Sequence, residues 1–265
     1  MISKSQIKLV KQLEQKKHRQ REGLFVAEGP KVVGDLLAAG FLPVQIFATA
    51  AWESPSGGSP VLQVITDDEL CKLSFLQHPQ QVLAIFPLPQ HSVSSSENTE
   101  NTEKFPFPSV SSVSSVDDIH HFILALDGVQ DPGNLGTIIR IADWFGISRI
   151  VCSTDTADAW NPKVVQATMG SIARVSIVYT DLKEYLNDTN LPVYGTLLDG
   201  ENIYKKELPR EAIIVMGNEG NGISPEVRRL VTDKLLIPRL REGAESLNVA
   251  IATAITCSEF CRRSI

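Results

Sequence analysis

Apolar positions along this chain follow two rhythms. Residues 4–18 carry a charged pattern at helical spacing, and after them short apolar runs alternate with helical stretches. Strands are predicted at 24–28 (Leu-Phe-Val-Ala-Glu), 44–49, 61–66 and 82–86, with helices at 30–39 and 67–74 between them. Pro30 marks the first turn of one helix and Gly40 the position just past its end. Such alternation predicts a small α/β sandwich.

The second half alternates with more regularity. Apolar runs at 122–129, 149–154, 175–180, 193–198, 212–217 and 234–239 are separated or followed by helical patterns at 134–145, 162–172, 181–187, 224–231 and 246–262. Runs that are apolar throughout belong to strands covered on both faces, so a parallel sheet is expected. Between the halves, the Ser, Pro, Asn and acid-rich stretch after residue 86 has no periodicity and too little apolar surface to offset its ordering entropy. The expected division is therefore 1–88, a mobile linker at 89–118, and 119–265.

Composition changes this picture little. The chain has 265 residues, 43% of them hydrophobic and 21% charged, which excludes wholesale disorder. No apolar run reaches the roughly 18 residues of a membrane span and the N-terminus lacks a signal-peptide core, so a cytoplasmic protein without membrane attachment is expected. Cys71, Cys152, Cys257 and Cys261 form no metal-ligand or disulfide spacing and read as reduced core residues, with no metal site expected.

Charge is more informative when it is located. The net charge is −6, yet residues 1–21 hold Lys4, Lys8, Lys11, Lys16, Lys17, Arg19 and Arg21 against Glu14 alone, a local balance of +6. Lys8, Lys11, Lys16, Lys17, Arg19 and Arg21 are therefore candidate phosphate contacts, with a merely solvated basic face as the alternative.

In parallel sheets ligands bind beyond the carboxyl ends of the strands, which directs attention to three strand-to-helix loops. The first, Asp127–Arg140, offers Asn134 as a helix cap and places Arg140 two turns into the helix, where a surface ion pair is the plain alternative. In the second, Met216–Pro225, three glycines at 217, 220 and 222 accompany Asn218, Glu219 and Asn221. It matches neither the phosphate-gripping P-loop nor the dinucleotide glycine spacing. The third, Ile237–Val249, brings Ser246 and Asn248 to a helix start, where an ordinary Ser cap would also account for them.

Taken together and in order, Asn134-x-Gly136-x-x-x-Arg140, Met216 to Gly222, and Glu245 to Ala252 resemble the three motifs of the SpoU (TrmH-like) family of RNA 2′-O-ribose methyltransferases. The resemblance covers about 119–265, and the basic helix with the 24–29 segment is similar to the family's N-terminal RNA-binding domain, which resembles a small ribosomal protein. It implies an α/β fold whose parallel-sheet catalytic domain carries a deep trefoil knot, an exception to the rule that connections avoid threading. It also implies S-adenosylmethionine as cofactor and a homodimer with active sites at the interface. Carried residue by residue, Gly217, Ile237 and Leu247 would supply main-chain contacts to the cofactor, with Thr196, Leu197, Asn218, Glu219 and Gly220 nearby. Arg140 would be the catalytic residue, assisted by Asn134, Glu219, Ser246 and Asn248.

The chain departs from many relatives in having Gln166-Ala167-Thr168 where they carry Arg-Ala-Ser, and one extra residue between Pro238 and Ser246. Arg140 reads either as a base or as the group that fixes the neighbouring phosphate, with Glu219 expected to pair with it; the proton acceptor stays open. Ribosomal RNA is preferred over transfer RNA because of the appended N-terminal domain. The rival reading is a non-catalytic RNA-binding factor in ribosome assembly.

Overall fold

The computed structural model describes residues 1–53, 61–89, 121–241, 243 and 246–262. Apart from Pro89, the predicted linker lies outside the described residues. By their contacts, residues divide into two compact units, Met1–Ser115 with Trp160–Ala173, and Val116–Ala159 with Arg174–Ile265.

The first unit begins with α1 (Lys4–Gln12) and α2 (Lys16–Glu22) where the pattern predicted one helix. The break comes from Arg19. Its guanidinium is buried and donates to the carbonyls of Leu13 (2.8 Å) and Glu14 (2.6 Å), the C-cap of α1 and the residue after it, which fixes the turn between the two helices. There follow β1 (Leu24–Glu28), α3 (Pro30–Ala38), β2 (Gln45–Ala48), β3 (Leu62–Val64), α4 (Asp67–Leu73) and β4 (Val82–Pro87). The sheet order is β1-β4-β2-β3, with β4 antiparallel to both neighbours and β2 parallel to β3. Val10, Leu13, Val26, Phe47, Leu70, Leu73 and Leu83 form its core. Reciprocal capping boxes, Ser3 with Gln6 and Thr66 with Glu69, start α1 and α4.

The same unit contains α6 (Pro162–Ala167) and a short 3₁₀ turn at Ser171–Ala173. The predicted single helix over 162–172 is interrupted by two left-handed residues, Met169 (φ 52°) and Gly170 (φ 96°). A side chain at Gly170 would collide with the Asp35 carboxylate.

The second unit is built on β5 (His121–Asp127), α5 (Pro132–Trp144), β6 (Arg149–Cys152), β7 (Ser176–Tyr179), α7 (Leu182–Asn187), β8 (Val193–Asn202), β9 (Glu211–Gly217), α8 (Pro225–Arg228), β10 (Asp233–Leu236) and α9 (Val249–Arg262). Its six strands are all parallel, in the order β10-β8-β9-β5-β6-β7. The chain runs outward from β5 to β7, then crosses to the other side for β8, β9 and β10. The loops after β5 and β9 thus stand side by side at a topological switch point, where such sheets bind ligands. Cys152, Cys257 and Cys261 are buried free thiols, whereas Cys71, also expected in the core, is exposed. Among the described residues no helix is long and apolar enough to cross a membrane.

Candidate active site

The central strands β5 and β9 pair in register along their whole length, which sets Asp127 opposite Gly217. The buried Asp127 carboxylate accepts from the Ser224 N–H at 2.7 Å and so ties the end of β5 to the start of α8. Gly217 has no room for a side chain, because a Cβ would lie 2.3 Å from both the Gly222 carbonyl carbon and the Ile223 nitrogen. The loop closes on itself through two 2.9 Å bonds between the main chains of Asn218 and Gly222.

Asn218 fixes this loop to its neighbour. Its Nδ2 donates to the Gly128 carbonyl at 2.7 Å, while its Oδ1 accepts from the N–H groups of Gly220 (2.9 Å) and Asn221 (3.0 Å). The next residue, Glu219, reaches the start of α5. It accepts from the Asn134 side chain at 3.0 Å and from the Gln130 and Asp131 N–H groups at 3.3 Å each. Partial burial opposes ionisation of Glu219, but these donors together outweigh it and hold the carboxyl below its ordinary value.

Asp131, rather than Asn134, caps α5, accepting the Asn134 N–H at 2.8 Å. That leaves the Asn134 amide free to join the loops. Its Oδ1 accepts from Asn248 Nδ2 at 2.9 Å, and Asn248 Oδ1 in turn accepts from the Ala250 (2.9 Å) and Ile251 (3.3 Å) N–H groups. Asn248, not Ser246, therefore caps α9, which begins three residues later than predicted. The result is one directed chain, Asn248 to Asn134 to Glu219, through all three loops singled out in the sequence.

Not every expected residue joins it. Arg140 is exposed and makes no hydrogen bond or ion pair among the described residues, so the expected Glu219–Arg140 pair is not formed. The reason is geometric: Glu219 engages the first turn of α5, and Arg140 lies about 9 Å further along the helix from Asn134. Ser246 is exposed, as are Gly220 and Leu247, and Thr196, Leu197 and Ile237 are half-buried.

Sequence reasoning missed a brace from the loop after β6. Ser153 Oγ accepts from the Gly128 N–H at 2.8 Å and donates to Asp155 at 2.5 Å, and Thr156 donates to the Leu126 carbonyl at 3.1 Å. The signal was present in Ser153-Thr154-Asp155-Thr156, a cluster of side chains that bond nearby backbone in turns.

The candidate phosphate contacts in the first unit are reduced. Arg19 is only 1% exposed and serves the α1–α2 junction, which removes it from the set. Lys11 donates to the Ser74 carbonyl at 2.6 Å and lies over the Phe75 ring, and Arg21 pairs with Glu22 at 2.7 Å. Lys8, Lys16 and Lys17 remain exposed, with no hydrogen bond or ion pair among the described residues.

The second unit is a parallel α/β unit whose three strand-end loops are laced together at the switch point, and the first unit carries exposed lysines. Residues 121–258 match the SpoU rRNA Methylase family, and residues 4–84 match the MRM3-like substrate binding domain. The chain belongs to the SpoU rRNA methylase family. It is 29% identical over 252 residues to the 23S rRNA (guanosine(2553)-2′-O)-methyltransferase RlmP of Bacillus subtilis, covering 92% of this chain and 91% of that protein. Among solved structures, a TrmH-family protein from Porphyromonas gingivalis is 40% identical with a TM-score of 0.80, covering 99% of each chain. An AdoMet-bound rRNA methyltransferase from Sinorhizobium meliloti is 27% identical with a TM-score of 0.78, covering 100% of this chain and 98% of that one.

Proposed function

We propose that this protein transfers a methyl group from S-adenosylmethionine to a ribose 2′-hydroxyl of ribosomal RNA, with 119–265 as the catalytic domain and 1–88 as the RNA-binding domain. The observation that carries this reading is the Asn248–Asn134–Glu219 chain, which organises the three family motifs around one point. The names of the relatives support the ribosomal substrate.

The residues present fit the cofactor. Thr196, Leu197 and Ile237 are half-buried and Leu247 is exposed, so these side chains and the main chain of the Gly217–Gly220 loop would be the groups that hold it. When bound, S-adenosylmethionine supplies an activated methyl group that a nucleophile must approach in line. The protein's task is then chiefly positioning. Glu219, which accepts three hydrogen bonds, orients Asn134. Arg140, with no hydrogen-bond or ion-pair partner among the described residues, binds the phosphate next to the target ribose. Lys8, Lys16 and Lys17 add sequence-independent grip.

The family reading extends to a knotted course of the C-terminal strands, a homodimer and action in the cytoplasm. Exposed Trp144 and Ile251, on the mutually packed α5 and α9, support the dimer. Sedimentation of the pure protein tests that.

The reaction is tested by transfer of labelled methyl to ribosomal RNA from cells lacking this gene, followed by nucleoside analysis. A 2′-O-methyl nucleoside is expected. Cofactor binding with no transfer to any RNA or ribosomal particle would sink the reading in favour of a non-catalytic RNA-binding factor.

A further inference from the structure

Strand β8 pairs with β10 in two separate registers. Tyr194 and Gly195 stand opposite Asp233 and Lys234, whereas Glu201 and Asn202 stand opposite Leu235 and Leu236. A single step on β10, from Lys234 to Leu235, is thus matched on β8 by the passage from Gly195 to Glu201. Residues 196–200 stand out of the ladder as an extended bulge. Thr196 and Leu197, two of the candidate cofactor contacts, lie in it.

Two features anchor the bulge. Gly200 passes so close to β10 that a Cβ would lie 2.5 Å from the Leu235 carbonyl carbon and 2.7 Å from its nitrogen, which fixes where the chain returns. One residue earlier, Asp199 Oδ2 accepts from Arg228 Nη2 at 2.7 Å and from Lys234 Nζ at 2.8 Å. Arg228 ends α8, the helix that follows the Gly217–Ser224 loop, and Lys234 lies in β10, which leads into Ile237. A single carboxylate oxygen therefore connects the strand that carries Thr196 and Leu197 with the helix that follows the Gly217–Gly220 loop and the strand that leads into Ile237.

We propose that Asp199 is a positioning residue for the cofactor: by holding Arg228 and Lys234 together it sets the place of the 196–200 bulge against the other two loops, and through that the affinity for S-adenosylmethionine. The inference rests on the cofactor site described above and puts no atom of Asp199 on the cofactor itself. The bond from Lys234, with smaller help from Arg228, holds the Asp199 carboxyl below its ordinary value, so the anion persists at neutral pH. An isolated exposed ion pair contributes little. Here the carboxylate is shared by two cations from separate elements, and it anchors a segment outside the ladder. All three side chains are about half exposed, so salt should weaken the link.

The test is calorimetric titration of the full-length protein with S-adenosylmethionine and S-adenosylhomocysteine at about 50 mM and about 500 mM salt. Asp199→Asn is expected to weaken binding about fivefold at low salt and to flatten the salt dependence. Arg228→Met and Lys234→Met should each reproduce part of the loss, and Asp199→Glu should restore most of it. Thermal midpoint and cofactor-free RNA affinity should stay unchanged, which separates positioning from general destabilisation. Equal cofactor affinity in wild type and Asp199→Asn would overturn this inference alone, as would a loss that merely tracks a lowered midpoint. A wild-type protein that binds no cofactor would overturn both it and the site reading.

Discussion

Glu219 and Glu28 show how two glutamates of one chain are tuned in opposite directions. Glu219 is held below its ordinary value by donors, so the stability it contributes is present above the unfolded carboxylate value of about 4.3 and is lost as pH falls through the lower folded value. The tie among the three loops should therefore outlast mild acid. Glu219→Gln is expected to lower methyl transfer about 10- to 100-fold while leaving any acid limb of the pH–rate profile in place. A limb that vanished in the variant would make Glu219 the titrating base instead. Glu28 is the reverse case. Burial raises it, against the bonds from Ser74 and the Phe75 N–H and the nearby Lys11 charge. Its contribution is present below the unfolded value and is lost as pH rises through the raised folded value. Glu28→Gln should then match wild type near pH 4 and melt at a higher temperature near pH 8, as followed by circular dichroism. At Arg140, exposure predicts a clean separation: Arg140→Ala should abolish transfer yet leave the thermal midpoint and cofactor affinity nearly unchanged, because no hydrogen bond or ion pair among the described residues is lost.

At the scale of elements, the α1–α2 corner divides the basic segment into structural and free charges. Arg19→Met deletes the bonds to the Leu13 and Glu14 carbonyls, the first of them buried, and is expected to cost about 2–4 kcal/mol in urea unfolding. Replacing Lys8, Lys16 and Lys17 by Gln should leave stability unchanged and reduce the slope of log affinity for RNA against log salt by about 2. An unaltered slope would assign those lysines to a solvated face. This corner also marks the limit of what was legible in the sequence. The strands and most helices follow from apolar periodicity, and the three site loops from glycine and polar clusters at strand ends. The break at residues 13–15 does not, because it depends on an arginine reaching back from the next helix rather than on any Gly or Pro. The caps of α5 and α9 were misassigned for a related reason. Asp131 and Asn134 are both good cap types near the start of α5, as are Ser246 and Asn248 near that of α9, and the long-range bonds that engage Asn134 with Glu219 and Asn248 are not written in either local pattern. The β8 bulge was hidden as well, since Val193–Leu198 reads as an uninterrupted strand.

For the whole molecule, the two halves of the sequence and the two compact units are not the same partition. Trp160–Ala173 lies in the second half of the chain but belongs to the unit built on β1 to β4. Within that unit the rings of Trp160 and Phe25 lie 4.6 Å apart, and Val164, Val165 and Ile172 are essentially inaccessible. A fragment spanning 119–265 would keep the parallel sheet and the three laced loops, yet it would lose Phe25 and β1 as partners of this segment. Re-exposing a large apolar side chain costs about 1.5–3 kcal/mol. Several such side chains amount to a large share of the roughly 5–15 kcal/mol by which a domain is stable. The isolated fragment is therefore expected to melt well below the full chain, with tryptophan emission shifted to the red and a marked gain in binding of a hydrophobic dye. Trp160→Phe in both forms assigns the shift, because the difference it makes in each form isolates Trp160 from exposed Trp144 and from buried Trp52, which only the full chain carries. A fragment with the full chain's midpoint and emission would mean that Trp160–Ala173 finds an equivalent apolar bed inside the methyltransferase unit, and that the sequence boundary at 119 is also the boundary of independent folding.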